Sequence, residues 1–406
     1  MLAADGFGRN AIGGTGGASI TVTNAADLIA YASSSLPYII TISGTITLNG
    51  NLLITSNKTV QGSDSSSTII GDLTIGSGVN NVIVRYLNFT NPASVGWGDG
   101  VTIRDGAKNI FVTHCTFTDC ADGELDVSTK SDSVTISWCR FRYVTQTAHR
   151  NVMLIGSDDA YTADLGYLHV TVHHCWFDQL CTERMPSVRF GRVHVYNNYY
   201  SAAGNSYCVR TRLYAECLVE NNYFENVQNP WELLTTTGTP GKIHAANNSN
   251  SFLDTTHGVT WLSGWYPGQS LVLGTDTVFS PPYSFVLTDV QFVKDTVMKN
   301  AGNRGIRTPD AVRESGFTAS GFSLFPNYPN PFNSMTSISF SLPTKLFVSL
   351  TIVDMLGRAV ASLASETLPA GNHSRRWNAA GVPSGAYVCR LQAGGFYETR
   401  KLIVLK

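Results

Sequence analysis

The sequence predicts an all-β chain in which a parallel β-helix is followed by a small antiparallel β-sandwich. Three observations carry this prediction: a repeated strand–turn–aromatic segment, a different pattern of short strands near the C-terminus, and a low content of charge. Charged residues make up 14% of the 406 residues and hydrophobic residues 43%, whereas an average soluble domain is about 25% charged. Gly, Ser, Thr and Asn replace the charged residues, and they suit strands and tight turns better than helices.

The repeated segment ends each time in an aromatic residue. Its copies are Asn81–Phe89, Asn109–Phe117, Ser133–Phe141, His169–Phe177, Val193–Tyr200 and Cys217–Phe224, with a weaker copy at Ile243–Asn248. A strand this short cannot bury its apolar face alone, whereas stacked copies bury it together, which predicts a parallel β-helix. Stacking predicts one row of aromatic ends and a second row of Leu87, Cys115, Cys139, Cys175, Asn198, Asn222 and Asn248.

A cap and an insertion interrupt the repeat. Asn24 and Asp27 are spaced as the N-cap and third residue of a short helix, which we expect to cover the open end of the stack. The aromatic ends are separated by 28, 24, 36, 23 and 24 residues. The step of 36 contains an insertion from about Thr145 to Gly166, and insertions in solenoids form loops on one face, often the binding face.

The pattern changes after about residue 300. We predict a β-helix domain at 1–300, a linker at 301–321 rich in Gly, Arg, Thr, Ser and Pro, and a β-sandwich domain at 322–406. The last region contains short strands with turns between them, which is typical of a small antiparallel sandwich.

Charge, hydropathy and cysteine usage exclude several classes of protein. Lys and Arg total 28 and Asp and Glu total 29, so the net charge is −1 and no nucleic-acid partner is expected. No apolar run approaches the roughly 20 residues of a membrane span, and the first residues lack the features of a signal peptide. The eight cysteines form no CxxC pair, which argues against zinc. Local bridges such as Cys115–Cys120 or Cys175–Cys181 and free thiols both stay open, and we expect a monomer.

An acidic cluster is the first candidate site. Asp122, Glu124 and Asp126 occur at alternate positions, so in an extended segment they share one face. Three carboxylates repel one another unless a cation lies among them, and oxygen ligands suit Ca²⁺. Asp99, about one coil earlier, supplies a further oxygen. The alternative is a solvated polar edge.

A basic cluster follows one to three coils later. Arg184 and Arg189 are spaced to converge on one anionic ligand across a turn, and Arg150 lies near the insertion. Arginine is the side chain best shaped for carboxylate recognition. The alternative is that these arginines pair with Glu183 or Asp178 on the surface. Together the two clusters indicate a polyanionic sugar bridged by Ca²⁺.

Six stretches occur in an order that matches a known enzyme family. They are Asp5-Gly-Phe-Gly8 with Gly13-Gly-Thr-Gly-Gly17, Asn57-Lys-Thr-Val-Gln-Gly62, Asn80-Asn-Val-Ile-Val84, Asp122-Gly-Glu-Leu-Asp126, Met153-Leu-Ile-Gly156 and Arg184-Met-Pro-Ser-Val-Arg-Phe-Gly191. From about Gly6 to Asn300 the chain thereby resembles the pectate lyases of polysaccharide lyase family 1. The resemblance implies a right-handed parallel β-helix and a calcium-dependent enzyme. Its substrate would be α-1,4-polygalacturonate, cleaved by β-elimination to 4,5-unsaturated oligogalacturonides.

The resemblance also assigns roles to the two clusters. It implies that Asp99, Asp122 and Asp126 bind Ca²⁺. Arg184 corresponds to the family's catalytic base and Arg189 to an arginine that binds the substrate. A family lysine has no counterpart, and Arg150 is the nearest cation. The family's Trp-Ile-Asp-His motif is replaced by Phe111-Val-Thr-His114, and Glu124 stands where a small residue is usual.

The C-terminal region carries a second resemblance. Tyr328-Pro-Asn-Pro-Phe-Asn333, Asp354-Met-Leu-Gly357, Ser384-Gly-Ala-Tyr387 and the ending Lys401–Lys406 are similar to a type A sorting domain of the type IX secretion system. Such a domain implies that the secretion machinery is a partner and that the protein is secreted or held at the cell surface. The alternative for this region is a carbohydrate-binding module.

Three other functions stay open. A pectin lyase would act on methylated pectin without Ca²⁺, although three retained aspartates argue against it. A β-helix hydrolase of the polygalacturonase type would use paired carboxylates and leave saturated ends. A non-catalytic adhesin would bind polygalacturonate and release nothing.

Overall fold

The repeated segments form a parallel β-solenoid of about 9 turns, as the repeat predicts. The computed structural model describes residues 3–146, 149–236, 238–248, 257–262, 264, 266–305, 322–325, 327 and 330–405. The chain divides into two units, Met1–Ile306 and Arg307–Lys406, and each has its own hydrophobic core.

Three sheets run along the solenoid, and each turn contributes one strand to most of them. The first sheet contains Ala18–Val22, Tyr38–Ile42, Lys58–Gly62, Asn80–Arg85, Lys108–Thr113, Asp132–Ser137, His169–His173, Arg192–Tyr196, Glu216–Glu220 and Lys242–Ala246. The second sheet contains Leu52–Ile54, Leu73–Ile75, Val101–Ile103, Leu125–Val127, Leu154–Ile155, Ser187–Val188, Val209–Thr211, Trp231–Leu234 and, antiparallel at its end, Gln269–Ser270. The third sheet contains Thr45–Thr47, Thr68–Ile70, Asn88–Thr90, Thr116–Thr118, Arg140–Arg142, Trp176–Phe177, Tyr199–Tyr200 and Tyr223–Phe224.

The two predicted rows are confirmed. Phe89, Phe117, Phe141, Phe177, Tyr200 and Phe224 stack ring on ring inside the third sheet, with centroids 4.6–5.3 Å apart. The side chain of Asn222 accepts hydrogen bonds from the backbone and amide of Asn198 at 3.0 Å. Asn222 in turn donates to Asn248 and to a backbone carbonyl. The rows therefore satisfy buried polar groups and fill the core at once.

The sequence left open whether the cysteines form disulfide bonds or remain free thiols. All eight are buried thiols without a disulfide bond. Cys115, Cys139 and Cys175 follow one another in the second row and donate to backbone carbonyls of their own turns. They act as small packing residues.

Helices cover parts of the solenoid. The predicted cap is present at Ala25–Ala32, where the Asn24 side chain accepts a hydrogen bond from Asp27 N at 3.0 Å. Leu28 of this helix is fully buried in the core of the first turns. A second helix at Val290–Asn300 packs on the outside of the third sheet, and a short 3₁₀ helix spans Thr162–Asp164.

The first five residues of the predicted linker lie on the β-helix. Gly302 N donates to the Trp138 carbonyl and Asn303 N to the Thr116 hydroxyl, both at 2.8 Å, and Ala301 is buried. Residues 306–321 of the predicted linker lie outside the described residues.

The C-terminal unit consists of two antiparallel sheets, in agreement with the prediction. One contains Ser323–Leu324, Met335–Leu342 and Gly371–Asn378, and the other Leu346–Val353, Ala359–Leu368, Gly385–Ala393 and Phe396–Val404. Their inner faces form a core that includes Phe340 and Trp377. Within the described part of the chain, no helix has the length and apolar character needed to span a membrane.

We predict that the asparagine row is a major source of stability. Asn222→Leu keeps the branching at Cγ but adds bulk and leaves Asn198 and the Val195 carbonyl without their buried partner, at an expected cost of about 2–4 kcal/mol. Denaturant unfolding would measure this loss. Asn80→Ala, which changes an exposed amide, should cost less than about 0.5 kcal/mol. Equal midpoints for the two variants would contradict the prediction.

Candidate functional site

The outer face of the second sheet brings the two predicted clusters onto neighbouring turns. Alternate residues of its strands point inward, so the in-register residues between them form one outward row. This row is Thr74, Thr102, Asp126, Leu154, Ser187, Arg210 and Glu232. Asp99 and Asp122 precede the strands that carry Thr102 and Asp126, and Arg184 precedes the strand that carries Ser187. The sheet therefore places the predicted aspartates on earlier turns than the predicted Arg184.

Asp99 is the buried member of the acidic cluster. Its Oδ2 accepts a hydrogen bond from the Thr102 hydroxyl at 2.9 Å. Its Oδ1 is buried and has no hydrogen-bond partner among the described residues. Burial, followed by the charges of Asp126, Asp72 and Asp122, raises the pKa of Asp99 far above its ordinary value.

Gly123 lies between two of the aspartates. A Cβ atom at this position would be 2.9 Å from Asp99 Oδ1 and 3.1 Å from Asp126 Oδ1. Only a residue without a side chain leaves this gap open. The gap is therefore bordered by one oxygen from each of two carboxylates.

Asp126 and Asp122 complete the predicted set. Asp126 Oδ1 accepts a hydrogen bond from Leu154 N at 2.8 Å, which fixes its direction. Burial raises the pKa of Asp126, and Asp122 adds to this, whereas the charge of Arg184 lowers it. Asp122 is exposed, and His149 Nδ1 lies 3.5 Å from its Oδ1.

The prediction that Glu124 shares a face with Asp122 and Asp126 is wrong. The strand begins only at Leu125, and the chain bends before it, so the alternation of an extended segment does not include Glu124. Its side chain is completely buried, and burial raises its pKa well above the ordinary value. The Glu124 carboxyl lies near the Cys120 thiol and the Tyr143 hydroxyl. After burial, its charge is the next cause that raises the pKa of both groups.

The acidic cluster fits a hard cation by the chemistry of its donors. Within the described residues, no three His, Cys, Asp or Glu side chains already form a metal-binding group. A bound cation would nevertheless give the buried oxygen of Asp99 a partner and would fill the gap at Gly123. It would also offset the mutual repulsion of the aspartates.

Arg184 faces this cluster from a later turn. Its backbone has a left-handed φ of 60°, and its carbonyl accepts a hydrogen bond from Met153 N at 2.7 Å. Its guanidinium has no hydrogen bond or ion pair among the described residues, although its charge acts on Asp126. Arg150 Nε is likewise buried without a partner among those residues. Both arginines therefore have donors available for an anion.

Arg189 is held by the insertion. Its Nε donates to Asp159 Oδ1 at 2.5 Å and a terminal nitrogen donates to the Gly156 carbonyl at 2.9 Å. Arg212 donates to the other Asp159 oxygen at 2.7 Å. Burial raises the pKa of Asp159, but the two arginines outweigh burial and the pKa lies below the ordinary value. The predicted partners Glu183 and Asp178 instead lie closest to Arg210 and Arg140.

The insertion is shorter than the sequence suggested. Leu154–Ile155 is a regular strand of the second sheet, paired with Leu125–Val127 and Ser187–Val188. The register places four additional residues between Arg142 and Leu154 and eight more between Ile155 and Val170. The larger addition contains the 3₁₀ helix and Asp159. It therefore lies beside the arginines of the following turns.

Sequence reasoning missed five charged residues of this face, which are Asp72, Asp159, Arg210, Arg212 and Glu232. Asp72 is buried one turn before Asp99, and its Oδ2 lies 3.1 Å from the same Thr102 hydroxyl. Arg212 is one turn after Arg189, because Val188 pairs with Thr211. The spacing of 23 residues between these arginines equals the step between Phe177 and Tyr200, so the repeat contained the signal for Arg212. Asp159 had no such signal.

Comparisons with known proteins identify the family. Residues 1–305 match the pectate lyase family, and residues 327–405 match a secretion system C-terminal sorting domain. The pectate trisaccharide-lyase of Bacillus licheniformis is 33% identical over 312 residues, covering 71% of this chain and 82% of that protein. Pectate lyase plyB of Emericella nidulans is 34% identical over 223 residues, covering 53% and 65%.

Solved structures share the fold. Pectate lyase Bsp165PelA from Bacillus sp. N165, in complex with trigalacturonate, superposes with a TM-score of 0.61 at 22% identity, covering 75% of this chain and 99% of that one. The thermostable pectate lyase PL 47 has the same TM-score and identity and covers 75% and 98%. The chain belongs to the pectate lyase family of polysaccharide lyases and carries a C-terminal secretion sorting domain.

Proposed function

We propose that this protein is a calcium-dependent pectate lyase that cleaves α-1,4-polygalacturonate by β-elimination. The observation that carries the proposal is the gap at Gly123, bordered by Asp99 and Asp126, with the available guanidinium of Arg184 on a later turn. A polyuronate presents a carboxylate on every sugar and so matches a site that offers both a cation-binding cluster and arginines. The relatives' names and the trigalacturonate complex of a structural neighbour support the same substrate class.

The chain's own residues account for the steps of the reaction. Asp99, Asp122 and Asp126 would hold Ca²⁺, which when bound supplies positive charge to the uronate carboxylate next to the C5 proton. Arg189 and Arg150 position that carboxylate through charge-assisted hydrogen bonds. Arg184 takes the C5 proton, the electron pair of that bond forms the C4–C5 double bond, and the C4–O bond breaks. The oxygen of the leaving sugar takes a proton from solvent water. Because a guanidinium is protonated at neutral pH, this role for arginine requires an alkaline medium.

The C-terminal unit has a separate role in this proposal. Its match to a secretion sorting domain supports export through the type IX route to the cell surface or the medium. Polygalacturonate is a polymer found outside the cell, so export agrees with the proposed activity.

One assay tests the reaction type. Incubation with polygalacturonate and Ca²⁺ should produce ultraviolet absorbance from the new double bond, and a chelator should abolish it. Reducing ends without absorbance would mean hydrolysis, and binding without cleavage would mean an adhesin.

We predict that Gly123→Ala weakens Ca²⁺ binding about tenfold or more, about 1.4 kcal/mol. The added methyl group enters the gap between the oxygens of Asp99 and Asp126. Calorimetric titration with Ca²⁺ would measure the change. Gly50→Ala is the matched control, since a Cβ at Gly50 meets nothing within 4 Å. Unchanged affinity in the Gly123 variant would place the cation elsewhere.

The raised pKa values of Asp99 and Asp126 predict a pH-dependent stability in chelator. Unfolded carboxyl groups lose their protons near pH 4, whereas these two keep theirs to higher pH in the folded protein. The folded state therefore binds more protons above pH 4, and its free energy of unfolding should fall as the pH rises from about 5 to 9. Thermal unfolding should show a smaller slope for Asp99→Asn, and saturating Ca²⁺ should flatten the wild-type slope. Asp158→Asn, at an exposed carboxylate, should keep the wild-type slope; a wild-type slope in Asp99→Asn contradicts the assignment.

Lysine substitutions separate the roles of two arginines. Lysine keeps the charge at position 184 but lacks the planar fork, so Arg184→Lys should lower kcat by roughly 10²–10⁴-fold with little change in KM. Arg189→Lys cannot keep both contacts of Arg189, with Asp159 and with Gly156, and should mainly raise KM. Steady-state kinetics on polygalacturonate would measure both. A near-normal kcat in Arg184→Lys would move proton transfer to another group.

A further inference from the structure

The outer face of the second sheet carries an aromatic–cation pair beside the acidic cluster. Trp97 is 49% exposed, and it is the most exposed of the described tryptophans. The guanidinium carbon of Arg104 lies 3.8 Å from the centroid of its ring. Trp97 precedes and Arg104 follows the strand Val101–Ile103, so their contact crosses the face of the sheet on that turn.

The backbone around Trp97 is held on both sides. Its N–H donates to the buried carboxylate of Asp72 at 2.9 Å. Gly96 and Gly98 both have positive φ, and a Cβ on Gly96 would clash with Asn51 and Asp72, while one on Gly98 would reach Asp122. The backbone that carries the exposed indole is thus fixed between the preceding turn and the acidic cluster. An exposed aromatic side chain on a fixed backbone is a preformed contact surface.

Arg104 has donors left for a ligand. Its Nε lies 3.0 Å from Asp105 Oδ2, and its terminal nitrogens make no hydrogen bond among the described residues. Its aliphatic stem lies over Gly76, where a Cβ would be 3.4 Å from Arg104 Cγ. The guanidinium therefore lies against one face of the indole with two nitrogens available for a carboxylate.

The pair lies one turn before Asp126, on the side away from Arg184. Neighbouring strands are about 4.8 Å apart, which is close to the length of one sugar unit in an extended polysaccharide. A chain that lies along the outward row across Asp126 and Ser187 would therefore reach Trp97 and Arg104 with a sugar just beyond the acidic cluster.

We propose that Trp97 and Arg104 form an additional uronate-binding subsite at this end of the groove. The free face of the indole packs on the apolar face of a galacturonate ring, and Arg104 pairs with the carboxylate of the same sugar. The subsite rests on the proposed function, since it extends the same polyuronate along the same sheet. It adds binding energy only for oligomers long enough to reach it.

The test compares oligogalacturonates from trimer to octamer with the full-length protein. Trp97→Ala should lower kcat/KM for the long oligomers about three- to tenfold through KM, and leave the shortest cleaved oligomer unchanged. The substitution keeps the backbone N–H that donates a hydrogen bond to Asp72, so we expect the fold to be preserved. Calorimetric binding of the same oligomers in the Arg184→Lys background gives a second readout that is independent of turnover.

Arg104→Gln tests the charge separately from the indole. It should weaken binding of long de-esterified oligomers and have little effect on methyl-esterified ones. Arg192→Gln, at a half-exposed arginine of the first sheet, is the matched control and should change neither. Losses that are equal at all lengths, or no loss in either variant, would overturn the subsite. Failure of the wild-type protein to bind or cleave any oligomer would instead overturn the proposed function.

Discussion

The parallel register between successive turns is the constraint on which the rest of the structure depends. Each strand hydrogen-bonds to the equivalent strand one turn earlier and one turn later, so every side chain has a predetermined neighbour along the axis. In the third sheet this places aromatic rings on aromatic rings, and in the turns it places amides on amides. Along the second sheet the same register brings different side chains together on successive turns, so that the turn of Asp126 is followed by the turns of Arg184 and Arg210.

The sequence predicted the parts of the fold in which like residues stack. Phe141 above Phe117 and Asn222 above Asn198 leave a repeated signature, because each position must fill the same space in every turn. The strands of the second sheet carry different outward residues from one turn to the next, so their outer face leaves no repeat in the sequence. The positions of Asp159 and Glu124 could not be predicted because neither residue lies on a repeated strand. A loop brings Asp159 to Arg189, and a bend before Leu125 turns Glu124 inward.

The two halves of the candidate site differ in how their charges are balanced. Arg189 and Arg212 share the single carboxylate of Asp159, so this part of the face is held in place by the protein and keeps one excess positive charge for an anionic ligand. The aspartates have no such compensation, and burial of Asp99 makes their repulsion stronger than it would be in water. An acidic cluster of this kind lowers the stability of the folded state in favour of a binding function. A hydrophobic or amide side chain at these positions would be buried at a lower cost in free energy.

The buried thiols have a consequence for the route by which the protein reaches its destination. All eight thiols are buried in the folded protein, so an oxidising compartment meets them as accessible sulfurs only while the chain is still unfolded. A bridge formed at that stage between cysteines of distant turns would prevent the turns from stacking in register. Rapid folding relative to oxidation therefore protects the chain, and the order of these two events decides how much exported protein becomes usable.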